Sequence, residues 1–234
     1  PPEPVVDEDI VCNFGGGLGT SAYISIFFNK SDLTEYASYE LVATRYIVGS
    51  DYNFTSETKV VDDRTDTSTR TYFYCRGIEL YALTVPVTVV LNCKDADGNV
   101  VATSKEFTTT LRDSMYNLYS KSGNAAQKTA ITDMIVAGAE VQSFFVSGKS
   151  CDLANLPLPT EDFPLESATP TLGDLATHNT NGSANGITIG TGGGITLAPY
   201  LTFNFSGISN AADYNVTLSY NDEIVKLIIK AKSI

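Results

Sequence analysis

The chain of 234 residues contains no tryptophan and a single histidine, His178. A hydrolytic triad needs a base that is usually histidine, and His178 lies in a polar loop sequence, where we expect it to be solvated. The cysteines form no C-x-x-C pair, which argues against a zinc site or a thioredoxin-type motif. They are Cys12, Cys75, Cys93 and Cys151. One disulfide and buried free thiols are equally open interpretations. The sequence predicts no catalytic residues, no metal and no cofactor.

Basic residues are scarce: 15 Lys and Arg stand against 27 Asp and Glu, for a net charge of −12. Binding to nucleic acid needs basic residues that displace counterions from phosphates, and an acidic surface is repelled by anionic lipid headgroups. No apolar run approaches the roughly 20 residues of a membrane span. We therefore expect no nucleic-acid partner and no membrane insertion. No signal peptide is visible, and we expect a targeting segment to have been removed.

The sequence does contain a series of short segments rich in Val, Thr, Tyr and Phe, separated by turn residues. Such segments are typical of antiparallel strands, and their spacing favours a β-sandwich. Residues 95–99 (DADGN) predict a hairpin turn, because Gly98 accepts the positive φ that such turns require. The same stretch lacks the distant glutamate of an EF-hand calcium loop. The predicted strands of the first half are residues 10–14, 23–28, 39–46, 59–62, 69–76, 85–93 and 100–109.

The hydrophobic period then changes. Apolar residues recur every three or four positions in residues 111–119 and 125–146, which predicts two helices. Gly123 and Asn124 predict a tight turn between them. Gly138, flanked by alanines, predicts a flat patch on the second helix where another backbone could approach closely. Residues 151–170 contain four prolines and predict an irregular linker.

Part of the sequence repeats itself. Gly15–Gly17 and Gly192–Gly194 are 177 positions apart, and the residues that follow them match in type at the same offset. The matched pairs are Leu18 and Ile195, Tyr23 and Tyr200, Ile24 and Leu201, Ser25 and Thr202, Ile26 and Phe203, Phe28 and Phe205, and, after a gap, Tyr39 and Tyr214, Leu41 and Val216. This series predicts two copies of one β-module.

We therefore predict a mostly β protein with two β-sandwich-like modules joined by a helical hairpin. Residues 1–110 form the first module, 111–150 the helical connector, 151–170 the Pro-rich linker and 171–234 the second, smaller module. The second module is either a compact variant or cut short. We favour the compact variant, because a truncated sandwich would leave an unpaired strand edge.

The helical segment and its flanks resemble a known family. The matching residues are 96–101 (ADGNVV), 116–118 (YNL), 131–145 (ITDMIVAGAEVQSFF) and 152–156 (DLANL). They resemble a segment of large secreted and dockerin-bearing proteins of Gram-positive gut anaerobes, where the helix reads LVDMLNYGAAAQxYF and TDNLAN follows. This chain has VAGAE where NYGAA is usual. The resemblance covers roughly residues 96–156. It implies a secreted component of a cellulosome-like complex at the cell surface of a Gram-positive bacterium.

The best candidate binding surface is the segment from Arg70 to Arg76. Alternation along a strand places Arg70, Tyr72, Tyr74 and Arg76 on one face, and Tyr46 is near enough in sequence to extend that face. Flat rings stack on the CH groups of sugars while guanidinium groups bond to hydroxyls. The same pattern is also typical of ordinary cross-strand packing.

The family that the helical segment resembles includes starch-adherence proteins and has no established catalytic residues. We predict that the chain is a non-catalytic protein that binds a polysaccharide or oligosaccharide, with starch the first candidate. The alternative is a structural or adhesive spacer that contacts other cell-surface proteins. A glycosidase needs only two carboxylates. The candidate acids are candidates only because they are acidic, and we expect them to be solvated charges in loops. These acids are Glu35, Asp62, Asp63 and Asp66.

Overall fold

A computed structural model describes residues 3–49, 53–165, 182–184, 186–195, 199–208, 218–220 and 223–225 of the protein. The fold is mostly β, which confirms the prediction of a mainly β chain. The chain divides into two compact units, residues 1–170 and residues 171–234.

Two sheets form the β part of the first unit. Their strands are β1 (Val5–Val6), β2 (Asn13–Leu18), β3 (Ala22–Asn29), β4 (Ser38–Val48), β5 (Phe54–Val60), β6 (Arg64–Asp66), β7 (Arg70–Cys75), β8 (Val87–Lys94), β9 (Val100–Thr103) and β10 (Phe107–Thr109). Sheet A has the order β1-β9-β8-β4-β5, with β10 also paired to β8, and sheet B has the order β2-β3-β7-β6. The pairs are antiparallel except for β1, which runs parallel to β9. Residues 95–99 form the turn between the antiparallel strands β8 and β9, as predicted.

Alternate side chains of both sheets line one hydrophobic core. In sheet B, β3 buries Ile24, Ile26 and Phe28; in sheet A, β8 buries Val87, Val89, Leu91 and Cys93. These residues belong to a single cluster of packed side chains. Because successive side chains of a strand point to opposite faces, burial of one face leaves the other face of each sheet toward solvent.

Two helices follow the strands, α1 (Leu111–Lys121) and α2 (Ala125–Val146). Each begins at a polar residue whose side chain accepts a hydrogen bond from a backbone N–H of the first turn. Thr110 caps α1 and Asn124 caps α2 in this way, which satisfies donors that have no partner within the helix.

Both helices contribute to the core of the first unit. Helix α1 packs against β2, and α2 packs against the 3₁₀ helix Leu80–Ala82. Leu111, Met115, Ile131 and Ile135 belong to the same cluster as the buried side chains of the sheets. The sequence assigned the helices to a connector of their own, whereas in the structure they share the core of the first unit.

The chain after α2 also stays on the first unit, as far as residue 165. Asp152, in the 3₁₀ helix Asp152–Asn155, accepts a hydrogen bond of 2.7 Å from the backbone N–H of Phe54. Phe163 is buried in the core, and the Arg112 guanidinium carbon lies 5.6 Å from the centroid of its ring. This part of the predicted linker is therefore packed against the strands and α1.

The second unit contains β11 (Gly182–Ala184), β12 (Ile187–Ile195), β13 (Pro199–Ser206), β14 (Leu218–Tyr220) and β15 (Glu223–Val225). The pairing of β12 with β13 reproduces that of β2 with β3. In the first hairpin Gly15 pairs with Ser25 and Gly17 with Tyr23. In the second, Gly192 pairs with Thr202 and Gly194 with Tyr200. The repeat seen in the sequence thus extends to strand register, while Tyr214 and Val216 lie outside the described residues.

Candidate functional site

The outer face of sheet B carries most of the residues predicted to bind a ligand. Strand β7 buries Thr71 and Phe73, so Arg70, Tyr72 and Tyr74 point to the outer face. Arg76 follows β7 directly and is exposed. The structure therefore brings Arg70, Tyr72, Tyr74 and Arg76 together on one face, as the alternation predicts.

Strand β3 adds residues that the sequence analysis did not select. Tyr23, Ser25 and Phe27 alternate with buried isoleucines and lie on the same outer face. The strand register places Phe27 opposite Tyr72 and Ser25 opposite Tyr74. A signal for Tyr23 was present in the sequence, since Tyr23 and Tyr200 are matched residues of the internal repeat.

The rings form two cross-strand pairs. Tyr23 and Tyr74 meet edge to face, with ring centroids 5.4 Å apart and planes at 82°. Phe27 and Tyr72 lie 5.3 Å apart with planes at 33°. Aromatic pairs of this spacing attract one another beyond the effect of buried area alone. They give the face four rings held in place by their neighbours.

One arginine lies over both rings of the first pair, and another lies over one ring of the second. The guanidinium carbon of Arg76 is 4.2 Å from the ring centroid of Tyr23 and 5.4 Å from that of Tyr74. The guanidinium carbon of Arg70 is 4.9 Å from the centroid of Phe27. We call the surface formed by Tyr23, Phe27, Arg70, Tyr72, Tyr74 and Arg76 the aromatic face.

Asp63 fixes the position of Arg76. The Arg76 Nε donates a hydrogen bond to Asp63 Oδ2, and the two groups form an ion pair. The hydrogen bond to the Asp63 carboxylate raises the pKa of Arg76 above its ordinary value. Arg76 therefore remains charged and oriented at the end of β7.

The centre of the face, on β2 and β3, has no large side chain. Gly15 pairs with Ser25 in the row between Tyr23 and Phe27, and no atom lies within 4 Å of the place that a Cβ of Gly15 would occupy. Gly15 and Ser25 thus form a strip without large side chains between Tyr23 and Phe27, and Tyr74 continues the same row on β7.

Tyr46 lies elsewhere. It belongs to β4 of sheet A, where it follows the alternation of Val42 and Thr44 away from the core, and it is 45% exposed. Its ring stacks on Phe54 with centroids 5.6 Å apart. The structure therefore does not bring Tyr46 together with the other four predicted residues.

A pocket of about 200 Å³ opens beside Tyr74 and Arg76. Its buried and half-buried lining is Ala43, Val61, Cys75, Ile78 and Val87, and its other charged lining is Arg45, Glu57, Lys59, Asp62 and Asp63. Arg45 pairs with Glu57 at 3.2 Å and bonds to the carbonyls of Arg76 and Gly77. This pocket could not be predicted from the sequence, because its lining comes from strands of both sheets.

The candidate acids are dispersed. Asp62 and Asp63 line the pocket, with Asp63 paired to Arg76. Asp66 pairs with Arg64 and Lys30, and Glu35 is exposed beside the start of β4. His178 lies outside the described residues.

The four thiols are unpaired in the structure. Burial raises the pKa of Cys75 to about 11, although the nearby Arg45 cation lowers it. At neutral pH this thiol is therefore protonated, which is the unreactive form. Among the residues that the structure describes, no three His, Cys, Asp or Glu side chains are grouped so that they could hold a metal ion. Neither α1 nor α2, nor any other described helix, is long and apolar enough to cross a membrane.

Comparisons of the chain with models of protein families, with curated proteins and with solved structures found no match. The resemblance of the helical segment to secreted proteins of Gram-positive anaerobes stays a prediction.

Proposed function

We propose that the protein is a non-catalytic carbohydrate-binding protein and that its aromatic face holds the glycan. The observation that supports this most is the set of four paired rings on β3 and β7, with Arg76 over both rings of one pair and Arg70 over Phe27 of the other. A sugar presents CH groups that pack on rings and hydroxyls that accept hydrogen bonds from guanidinium N–H groups. Apolar surface with a few well-placed polar groups is what small-ligand sites use.

The charge of the chain narrows the class of glycan. A protein with a net charge of −12 repels a polyanionic ligand at long range. We therefore propose a neutral polysaccharide, with starch the first to test. The resemblance to starch-adherence proteins points the same way.

The proposal includes the architecture and location predicted from the sequence. The two hairpins share one register, with every pair of the first shifted by the same number of residues in the second, which supports two related β-sandwich-like modules. A secreted protein at the surface of a Gram-positive bacterium would use such modules to hold polysaccharide near other surface proteins.

A second function has its own support. Arg76 and Arg70 already lie over rings of the aromatic face, and such contacts stabilise an exposed sheet by about 0.5–1 kcal/mol each without any ligand. This favours a structural or adhesive spacer whose outer face contacts another protein.

Affinity electrophoresis in native gels that contain soluble starch, xylan or a neutral β-glucan tests the proposal. We expect at least one polysaccharide to retard the protein, and Tyr72→Ala and Tyr74→Ala each to weaken binding about tenfold, or ~1.4 kcal/mol. Retardation by none of the polysaccharides would favour the spacer. Retardation that survives both substitutions would keep carbohydrate binding but remove it from the aromatic face.

A further inference from the structure

Strand β2 contains three consecutive glycines, and two of them have a structural reason. A Cβ on Gly16 would lie 2.5 Å from Met115 Cε and from the carbonyl oxygen of Ser114 in α1. A Cβ on Gly17 would overlap the ring of Tyr23, which covers this glycine from the opposite strand. Packing therefore requires glycine at both positions.

Packing does not require glycine at position 15. A Cβ there would meet no atom within 4 Å, and its φ is not in the left-handed region. Glycine in a strand is less favourable than alanine by roughly 0.5–1 kcal/mol, because it loses more backbone freedom on folding. A glycine that neither packing nor backbone conformation requires often marks a place where a ligand approaches the strand closely.

The position of Gly15 agrees with that interpretation. It lies on β2 at the edge of sheet B and pairs with Ser25, which stands between Tyr23 and Phe27 on β3 and opposite Tyr74 on β7. The second hairpin has the same arrangement, because Gly192 pairs with Thr202 as Gly15 pairs with Ser25. Both copies keep a glycine opposite a small hydroxyl residue.

We infer that Gly15 and Ser25 form the floor of the glycan site, where one pyranose unit lies against the strand backbone. This inference rests on the proposed function and specifies its ligand. With a rise of about 3.4 Å per residue, Tyr23 and Phe27 stand about 14 Å apart along β3, so a sugar unit over Gly15 and Ser25 would lie between their rings. The ligand is a stretch of a neutral polysaccharide, which can continue past the edge strand β2.

The test is Gly15→Leu in the full chain, with Gly123→Leu as the matched control. Gly123 lies in the turn between α1 and α2, is exposed, and likewise has no atom within 4 Å of its Cβ position. Gly15→Leu should unfold at the same temperature as the wild type or higher. Its affinity for soluble starch, measured from its retardation, should fall at least tenfold. Gly123→Leu should be retarded like the wild type.

The outcomes separate the inference from the proposed function. If Gly15→Leu is retarded as strongly as the wild type, the floor is not at Gly15, while carbohydrate binding stands. If Gly15→Leu unfolds at a clearly lower temperature, the glycine has a structural role and the inference is overturned. If neither soluble starch nor xylan nor a neutral β-glucan retards the wild type itself, the proposed function is contradicted, and the inference falls with it.

Discussion

At the scale of single residues, Gly16 shows how closely a helix can approach a sheet. Any side chain on Gly16 would press into Met115 and the backbone of Ser114. We expect Gly16→Ala to lower the free energy of unfolding by about 1–3 kcal/mol, because inserting a methyl group into a packed contact forces its neighbours to move. Urea denaturation monitored by circular dichroism measures this change.

The neighbouring Gly15 provides the control for that measurement. Gly15→Ala adds the same methyl group to the same strand, where no atom lies within 4 Å. The free energy of unfolding should stay the same or rise by up to roughly 1 kcal/mol. Equal losses of unfolding free energy in the two variants would show that the contact of the Gly16 methyl group with α1 is not what destabilises the protein.

Residues of the aromatic face differ in how well the sequence could predict them. Tyr72 and Tyr74 could be placed on one face because alternation along β7 is a local rule. Phe27 could not be assigned to that face, because its position depends on the pairing of β3 with β7. Tyr46 is close to β7 in sequence, but β4 pairs with β5 and β8 in sheet A.

At the scale of elements, the packing of α2 against the 3₁₀ helix depends on Gly138. The sequence predicted a flat patch there, and the structure confirms it: a Cβ on Gly138 would overlap the Leu83 side chain and lie 3.0 Å from the carbonyl oxygen of Leu80. Alanine favours a helix over glycine by about 1 kcal/mol, yet we expect Gly138→Ala to lower the unfolding temperature because the 3₁₀ helix would be displaced. Differential scanning calorimetry measures the unfolding temperature.

The control is Gly123→Ala, which adds a methyl group where nothing is within 4 Å and should leave the unfolding temperature nearly unchanged. An unfolding temperature of Gly138→Ala at or above that of the wild type would mean that helix propensity outweighs the contact with Leu80 and Leu83.

The two helices were more predictable than the strands. Their predicted bounds, residues 111–119 and 125–146, nearly coincide with Leu111–Lys121 and Ala125–Val146, because a period of three to four apolar positions is visible in the chain itself. Strand β5 was found only at its end. Most of its side chains are exposed, so it has no regular alternation, and its conformation comes from pairing with β4.

At the scale of the whole molecule, acid should destabilise the first unit. The Lys94 ammonium, which hydrogen-bonds to Glu40 at 2.7 Å, holds the pKa of Glu40 below its ordinary value, and Asp66 and Asp95 also have lowered pKa values. Each contribution is therefore present above the unfolded pKa of about 4 and is lost as pH falls through the lower folded pKa. The unfolding temperature should fall between about pH 5 and pH 3.

The variant Glu40→Gln checks the sign of that effect, because it removes a carboxylate whose folded pKa is lowered. Its unfolding temperature should depend less steeply on pH over the same interval. A slope as steep as that of the wild type would show that the ion pair between Glu40 and Lys94 contributes nothing to the acid dependence.

The sequence predicted the mainly β fold and the internal repeat because both are visible in local patterns. It could not show that α1 and α2 share the core of sheets A and B, since Met115 and Ile135 meet the strands only through long-range packing. The pocket beside Arg76 could not be predicted either, because its lining also comes together only through long-range packing.

The measurement that tests the central claim most directly compares Tyr74→Ala with Tyr46→Ala in gels that contain soluble starch. Both variants lose one tyrosine ring, but Tyr74 belongs to the aromatic face and Tyr46 to sheet A. We predict that Tyr74→Ala loses about tenfold in affinity and that Tyr46→Ala migrates like the wild type. Equal retardation of the two variants would contradict the assignment of glycan binding to the aromatic face.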